Sequence, residues 1–397
     1  MLPTAPASAA HRHALIAQAR QTLLTDGAAP LRAEVEPWIA RSWQRCLAQG
    51  MDPTQRVVFE AVSAPALRHS LEKNQALLCA ARPVLEQLTR AIAGMRYFAI
   101  LTDAHGTVVD VQGHCDHSDP RAGSIGRVGI DLSEAAVGTT AIGAALAELQ
   151  PVWLHRGEHF LDDNGSYSCA GAPLFDPQGV CVGMLDLTGI DVPERPELRH
   201  LVARSARAME DALLLQRPHA LLLRMNWPGS TLGGEGDGLL TLDADGCVVG
   251  ANSMARQLVP QPLRAPGTPT HSSDLLAMPW TMLFDAARHH PTQPLDLPLW
   301  SGLRLQALAQ WPSQSSRSGH GGVGTPSTFG PFRHSGTGPL VNSPSPVAAP
   351  LREAETALIR QAVQDARGNV AEAARVLGIS RATVYRKLGG SPKQKVE

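Results

Sequence analysis

Cysteine and histidine side chains are the residues of this sequence suited to metal or redox chemistry. Five of them are candidates for a shared site between positions 115 and 169: Cys115, His117, His155, His159 and Cys169. Thiolate and imidazole are the ligands that zinc and related metals prefer. Their separations, a Cys-x-His and much later a His-x-x-x-His, match no tight ligand motif. A metal or redox sensor, or a thiol-based redox enzyme, therefore stays an alternative, and no metal or cofactor is expected.

The same region also has the composition of an apolar pocket with a few polar groups, which would bind a small organic effector. Its walls are expected at residues 138–145, at residues 153–160 and around one buried cysteine. The candidate effector-binding residues are Thr139, Thr140, Trp153, His155, Glu158 and Cys169.

Lysine is scarce, and this scarcity excludes one class of enzyme. Only four of the 35 basic residues are lysines, and none lies between Lys73 and Lys387. A P-loop needs a lysine directly after its glycines to reach the β- and γ-phosphates of a nucleotide. The chain contains no Gly-Lys pair, so the sequence predicts no P-loop ATPase activity.

Basic residues are concentrated at the end of the chain, on a pattern of short helices. From Arg367 onward the net charge is +5, whereas the whole chain carries −1. Asn369 with Glu372 is close to a capping box, Gly378 supplies a turn, and Ser380 caps the next helix. Two helices joined by a short turn with glycine predict a helix-turn-helix. Its positive charge favours binding to the phosphate backbone of DNA.

The last helix of this module, residues 381–388, is expected to be the recognition helix in the major groove. Val384 and Leu388 anchor it, and its other side chains face outward. The candidate DNA-binding residues are Arg381, Ala382, Thr383, Tyr385, Arg386, Lys387 and Lys393, of which the two lysines are expected on phosphates.

Three hairpins must position the groups in the middle of the chain. Each has an apolar strand, a D-x-x-G turn and a second strand, with turns at residues 103–106, 176–179 and 243–246. Glycine supplies the positive φ that such turns need. Antiparallel hairpins separated by helices indicate an α+β fold and not a doubly wound parallel sheet.

Helical spacing of apolar residues predicts long helices over residues 32–49, 64–95 and 197–215, with Pro83 as a kink or boundary of the second. The apolar stripe on the third fits packing on its own domain and a dimer contact equally well, because it lacks sustained heptads.

Residues 312–350 contain 8 Ser, 7 Gly and 7 Pro and no acidic residue. That composition predicts a flexible linker.

Residues 368–388 resemble the Fis-type helix-turn-helix that ends bacterial enhancer-binding proteins. The front half resembles the acetoin-catabolism regulators of that family. The resemblance rests on SWQRC at residues 42–46, GMDP at 50–53 and VGTTAIG at 137–143, where Thr140 stands in place of the usual Asn. Residues 151–188 match further elements of a GAF sensor domain, and residues 237–311 look like a degenerate PAS-like domain.

The resemblance implies an α+β multidomain chain in which an antiparallel sheet with flanking helices forms the sensor. Its expected segments are an N-terminal helical region (1–95), a GAF domain (96–216), a PAS-like domain (236–311), a Pro/Gly/Ser linker (312–350) and an all-α helix-turn-helix domain (351–397). Full-length members of the family carry a central AAA+ ATPase that acts on RNA polymerase with the sigma-N factor. In this sequence the linker occupies the position of that ATPase domain. The resemblance therefore does not imply ATP hydrolysis or direct sigma-N activation for this protein.

The expected function is sequence-specific transcription regulation in response to a metabolite, and not enzymatic catalysis. The expected partners are double-stranded DNA with an inverted-repeat operator, a small-molecule effector and a second copy of the chain. RNA polymerase or a full-length paralogue is a further partner. The alternative is an adaptor or antagonist that heterodimerises with a full-length regulator. Scattered cysteines, no signal peptide and no spanning stretch predict a cytoplasmic protein with no membrane partner.

Overall fold

The computed structural model describes residues 9–25, 35–115, 118–259 and 269–312, together with Ala366 and Val370. The helices and strands given below belong to Met1–Arg317, the first of two units into which the chain divides. The expected linker, the expected helix-turn-helix and the DNA-binding candidates at residues 381–393 lie outside the described residues, apart from Pro312 and the two single positions.

Four helices precede the first strand: α1 Ala9–Thr25, α2 Pro37–Ala48, α3 Ala64–Lys73 and α4 Gln75–Ile92. The stripe expected on residues 32–49 is buried at Ile39, Trp43 and Cys46, but its helix begins only at Pro37. The single helix expected over 64–95 is wrong. It is broken at Asn74, whose backbone N–H and side-chain amide both donate to the Ser70 carbonyl oxygen, at 3.0 and 2.9 Å.

Pro83 is not a helix boundary, because it lies inside α4. Its side chain is on the exposed face of that helix. Solvent there can bond the carbonyl that the proline ring leaves without an N–H donor. The helix therefore continues through the position where the sequence favoured an end or a kink.

The first sheet is antiparallel, with strand order β2-β1-β5-β4-β3. Its strands are β1 Tyr97–Asp103, β2 Val108–Gly113, β3 Val152–His155, β4 Tyr167–Phe175 and β5 Cys181–Ile190. Its helices are α5 Pro120–Ile125, α6 Glu134–Val137, α7 Ala141–Glu148 and α8 Leu198–Leu215. One core joins α4 and α8 to one face of the sheet, and another core joins α2, α5, α6 and α7 to the other face.

The second sheet is also antiparallel, with strand order β8-β7-β6-β10-β9. Its strands are β6 Leu221–Asn226, β7 Gly238–Leu242, β8 Val248–Ala251, β9 Leu295–Pro298 and β10 Arg304–Gln310. Helices α9 Ser253–Leu258, α10 Ser272–Leu275 and α11 Thr281–His289 accompany it. The central strand of this sheet is β6. The sequence predicted that the PAS-like segment begins at residue 236, so the sheet begins earlier in the chain than expected. None of the described helices is long and apolar enough to cross a membrane.

The three expected D-x-x-G hairpins are confirmed as β1–β2, β4–β5 and β7–β8. In each turn one aspartate oxygen accepts two backbone N–H groups, as Asp103 does from His105 and Thr107, both at 2.9 Å. The glycines of the three turns have φ of +87°, +84° and +82°. A local Asx turn with a left-handed glycine is therefore what the repeated motif encodes.

The apolar stripe of helix α8 packs against other elements of the same chain. Leu198, Val202 and Met209 are buried in the core that α8 shares with α4 and the first sheet, and Leu213 is buried as well. The register of the buried face differs slightly from the expected one, because Ala206 is buried and Leu201 only half-buried. Packing on its own domain therefore buries most of the stripe, and a dimer contact through this helix stays a prediction.

Gly183 offers a direct test of the sheet. A methyl group at this position would lie 2.2 Å from the backbone oxygen of Thr102 on the neighbouring strand. We expect Gly183→Ala to lower the free energy of unfolding by about 1–3 kcal/mol, because backbone atoms cannot move aside cheaply. Gly94→Ala is the matched control, since nothing lies within 4 Å of its new methyl group, and a change within about 0.5 kcal/mol is expected. Equal urea midpoints for the two variants would contradict this packing.

Candidate ligand-binding cavity

A narrow cavity lies on the face of the first sheet that α7 covers. Its space holds about one water molecule, so a larger occupant requires a wall to move. The residues that line it are Phe59, Ile125, Leu132, Thr140, Ala141, Ile142, His159, Asn164, Tyr167, Cys169, Asp186 and Thr188.

One wall of the cavity is the start of α7, and a glycine in the sheet lets it come close. A methyl group on Gly171 of β4 would lie 2.6 Å from the Met184 side chain and 3.0 Å from the Ala141 carbonyl oxygen. Thr140 begins the helix, because its hydroxyl accepts the backbone N–H of Gly143 at 3.2 Å. The start of α7 is thus fixed by its N-cap, and it packs directly against the backbone of β4 at Gly171.

Asp186 is the most unusual group in the cavity wall. It lies on β5, the central strand, and its side chain is fully buried. Its Oδ2 accepts a hydrogen bond from the Thr188 hydroxyl, whereas no partner is present for Oδ1. Burial away from water raises the pKa of this carboxyl to about 7.

His159 supplies a second polar atom without a partner. The imidazole is buried, and its Nδ1 lies 2.9 Å from the Arg156 carbonyl oxygen, so Nδ1 carries the hydrogen. Nε2 is then an acceptor, and no donor reaches it. Burial lowers the pKa of His159 to about 4, because the charged form loses its hydration. Two of the residues that line the cavity therefore each carry a buried polar atom without a partner among the described residues.

Two of the six effector-binding candidates, Thr140 and Cys169, line this cavity. Trp153 and His155 do not, because they project from the opposite face of β3. Trp153 belongs to the core beneath α4 and α8, and His155 stacks on it with ring centroids 5.8 Å apart. The structure therefore places these two rings away from this cavity, since alternate residues of a strand face opposite sides of the sheet. Their assignment to an effector site stays a prediction.

Thr139 and Glu158 also lie outside the cavity lining, because structural bonds occupy them. The Thr139 and Ser42 hydroxyl oxygens lie 2.8 Å apart and share a hydrogen bond. The buried Glu158 carboxylate pairs with Arg12 and accepts the backbone N–H of His155 at 2.7 Å. Their assignment as effector-binding residues stays a prediction that this cavity does not support.

Sequence reasoning missed Asp186 and Thr188, and it considered His159 only as a metal ligand. The available signal was a carboxyl inside the apolar run 183–188, where a strand rarely places an ionisable group. A buried aspartate without a basic partner is costly, and its position in a central strand therefore points to a role beyond packing.

The metal and redox alternatives gain no geometric support. His155 lies on the other face of the sheet from His159 and Cys169, and His117 is outside the described residues. Within the ranges that the structure describes, no three His, Cys, Asp or Glu side chains are grouped to hold a metal. Burial raises the pKa of Cys169 well above its usual value, so it is a thiol and a poor nucleophile at neutral pH.

The SWQRC motif of α2 contacts the two short helices α6 and α7 through hydrogen bonds and ion pairs. Ser42 donates to Glu134 at 2.6 Å, and Arg45 contacts the same carboxylate with two nitrogens at 2.6 and 2.9 Å. Arg45 also reaches Glu148 at 2.9 Å, and the Trp43 indole donates to the Glu158 carbonyl oxygen at 2.8 Å. Because Glu134 belongs to α6 and Glu148 to α7, the motif fixes both short helices.

Arg45→Ala should destabilise the domain by about 1–3 kcal/mol, because it leaves the nearly buried Glu134 carboxylate without its charged partner. Arg41→Ala is the control, since Arg41 is more exposed and contacts only Glu148. A smaller loss is expected for this control. Chemical denaturation of both variants measures the difference, and equal losses would show that Arg45 does not hold the wall.

Comparison with known proteins adds family relationships to this geometry. Residues 14–211 match the family described as "MimR, N-terminal domain", and residues 350–389 match "Bacterial regulatory protein, Fis family". The acetoin catabolism regulatory protein of Cupriavidus necator is 32% identical over 257 residues, which are 62% of this chain and 37% of the relative. The acetoin dehydrogenase operon transcriptional activator AcoR of Bacillus subtilis is 31% identical over 186 residues, 46% of this chain and 30% of the relative.

The chain spans about a third of the length of these curated relatives. Among solved structures, it is similar to a chain of the E. coli DhaR(N)-DhaL complex at 18% identity and a TM-score of 0.41, covering 69% of this chain and 99% of that one.

The matched families and the named relatives are transcriptional regulators. The chain combines a match to the MimR N-terminal domain with a match to the Fis-family helix-turn-helix in one polypeptide, and its relatives include regulators of acetoin catabolism.

Proposed function

We propose that this protein regulates transcription by binding an operator through its C-terminal module, under the control of a small effector in the N-terminal cavity. The observation that carries the proposal is the presence, in one chain, of the Fis-family match and a cavity with two unpartnered buried polar atoms. In this proposal residues 96–216 form a GAF sensor domain, the second sheet is a PAS-like domain, and residues 351–397 bind an inverted repeat as a homodimer.

The cavity supports a small and largely apolar effector. Most of its lining is hydrophobic, and its polar groups are few and fixed in position. A buried polar atom without a partner costs about 1–3 kcal/mol, which an effector recovers when it bonds that atom. The names of the relatives include acetoin catabolism and an acetoin dehydrogenase operon, which favours a short-chain organic compound as the effector here.

A continuous set of contacts leads from the cavity toward the second sheet. Cys169 lines the cavity near one end of β4, and Phe175 ends the same strand. The Phe175 N–H donates to Glu210 of α8 at 3.1 Å, and Glu210 accepts the Ser253 hydroxyl of α9 at 2.7 Å. A shift of β4 on effector binding would therefore reach the second sheet through Glu210.

Regulation is proposed to proceed without ATP hydrolysis, because no lysine lies between Lys73 and Lys387 to serve a phosphate loop. The same feature favours a second candidate, an adaptor or antagonist that heterodimerises with a full-length regulator. Footprinting separates the two candidates, since a stand-alone regulator protects a palindrome by itself and an adaptor does so only with its partner.

Arg381→Ala should flatten the preference of the protein among operator variants, because a bidentate arginine contact to guanine discriminates by about 1–3 kcal/mol. Lys393→Ala is the contrasting variant. Loss of a phosphate contact should weaken binding to all sequences alike and lower the salt slope by about one unit. Titrations of operator and mutated DNA at two salt concentrations measure both effects, and wild-type selectivity in Arg381→Ala would show that another segment reads the bases.

Cys169→Leu should abolish the effector response, because the larger side chain fills the cavity. Short-chain alcohols, ketones and diols are first screened for those that change the operator affinity of the wild-type protein. Cys79→Leu is the matched control, since Cys79 is exposed on α4. Circular dichroism checks that both variants are folded. A wild-type response in folded Cys169→Leu would place the effector site elsewhere.

A further inference from the structure

We infer that the cavity recognises an uncharged ligand through the neutral acid form of Asp186 and the neutral imidazole of His159, so that ligand binding is coupled to protonation of Asp186. The inference rests on the proposed effector cavity and deepens it. It assigns two anchoring residues, the charge class of the ligand and a dependence on pH.

His159 defines one half of the recognition. Its Nδ1–H donates to the Arg156 carbonyl oxygen, and this bond fixes the tautomer and the orientation of the ring. Nε2 is then an acceptor inside the cavity, without a partner. The ligand must therefore donate a hydrogen bond, as a hydroxyl group does.

Asp186 defines the other half. The Thr188 hydroxyl donates to Oδ2, so the proton of the neutral acid is left to Oδ1, which points to no other group. A protonated Oδ1 donates a hydrogen bond. The ligand must therefore present an acceptor oxygen as well, from a carbonyl or a second hydroxyl.

No charge in the cavity wall favours the ionised form of Asp186. The titratable groups that face it are His159, Tyr167 and Cys169, and the start of α7 contributes only Thr140 as a polar side chain. None of the lining residues is an arginine or a lysine. An anionic ligand would meet no cation, and a charged ligand of either sign would lose its hydration in a site this narrow.

The sign of the pH dependence follows from the raised pKa of Asp186, about 7. Below this value the carboxyl is already protonated, and the affinity does not change with pH. Above it, binding must take up one proton, and the affinity falls about tenfold for each pH unit. His159 adds nothing in this window, because its pKa of about 4 keeps it neutral throughout.

Three probes of similar size separate the charge classes: 1,2-propanediol, 1-amino-2-propanol as its ammonium ion, and lactate. Each is larger than one water molecule, so binding of any of them requires a wall of the cavity to move. Their dissociation constants are measured on the full chain by isothermal titration at pH 6 and pH 8, in two buffers of different ionisation enthalpy. The diol should bind most tightly at pH 6, about tenfold more weakly at pH 8, and with uptake of nearly one proton at pH 8.

Asp186→Asn should remove the pH dependence and the proton uptake, because an amide does not titrate. Asp296→Asn is the matched control, as an exposed aspartate of the second sheet, and it should keep both. His159→Leu should weaken diol binding about tenfold at both pH values, because one neutral hydrogen bond is lost. Melting curves of each variant report whether it is folded.

Tighter binding of the ammonium ion or of lactate at pH 6, or a wild-type affinity for the diol that is constant between pH 6 and 8, would overturn the inference. Absence of binding by all three probes at high millimolar concentration would overturn it too. Operator footprints are obtained without any probe, so the proposed regulatory function stands or falls separately from these titrations.

Discussion

The contact between Arg45 and the Glu134 carboxylate decides where the wall of the cavity stands. Helices α6 and α7 have only four and eight residues, and such short helices are not stable without tertiary contacts. The polar edge of α2 bonds both of them, while its apolar residues Ile39 and Trp43 are buried in the core below. The motif that resembles a family signature is therefore a scaffold, and no residue of it lines the cavity.

That scaffold encloses a space whose polar groups are not satisfied. Asp186 and His159 each keep one buried atom without a partner, at a cost that a purely structural core would avoid. The low polarity that makes these atoms costly also strengthens any hydrogen bond that an occupant forms with them. In the proposed effector site, the free energy lost at these two atoms would be recovered when a ligand bonds them.

The helix α8 links this site to the rest of Met1–Arg317. Its apolar face packs on the first sheet, while Glu210 and Asp211 bond Ser253 and Asn252 at the start of α9. Burial raises the pKa of Glu210 to about 7 and that of Asp211 to about 6, so the junction is polar but poorly hydrated. This junction is the connection through which the proposed shift of β4 would reach the second sheet.

Features that depend on residues near one another in the chain follow from the amino-acid sequence. The three D-x-x-G turns, the apolar face of α2, the extent of α8 and the family motifs depend on neighbours in the chain, so they could be predicted. The tertiary structure alone decided the site. Both faces of the first sheet are covered by helices, so Trp153 and His155 show no polar alternation that reveals which face they occupy. Asp186 joins His159 and Cys169 only because the strand order places β5 beside β4, and pairing across strands is not encoded in local spacing.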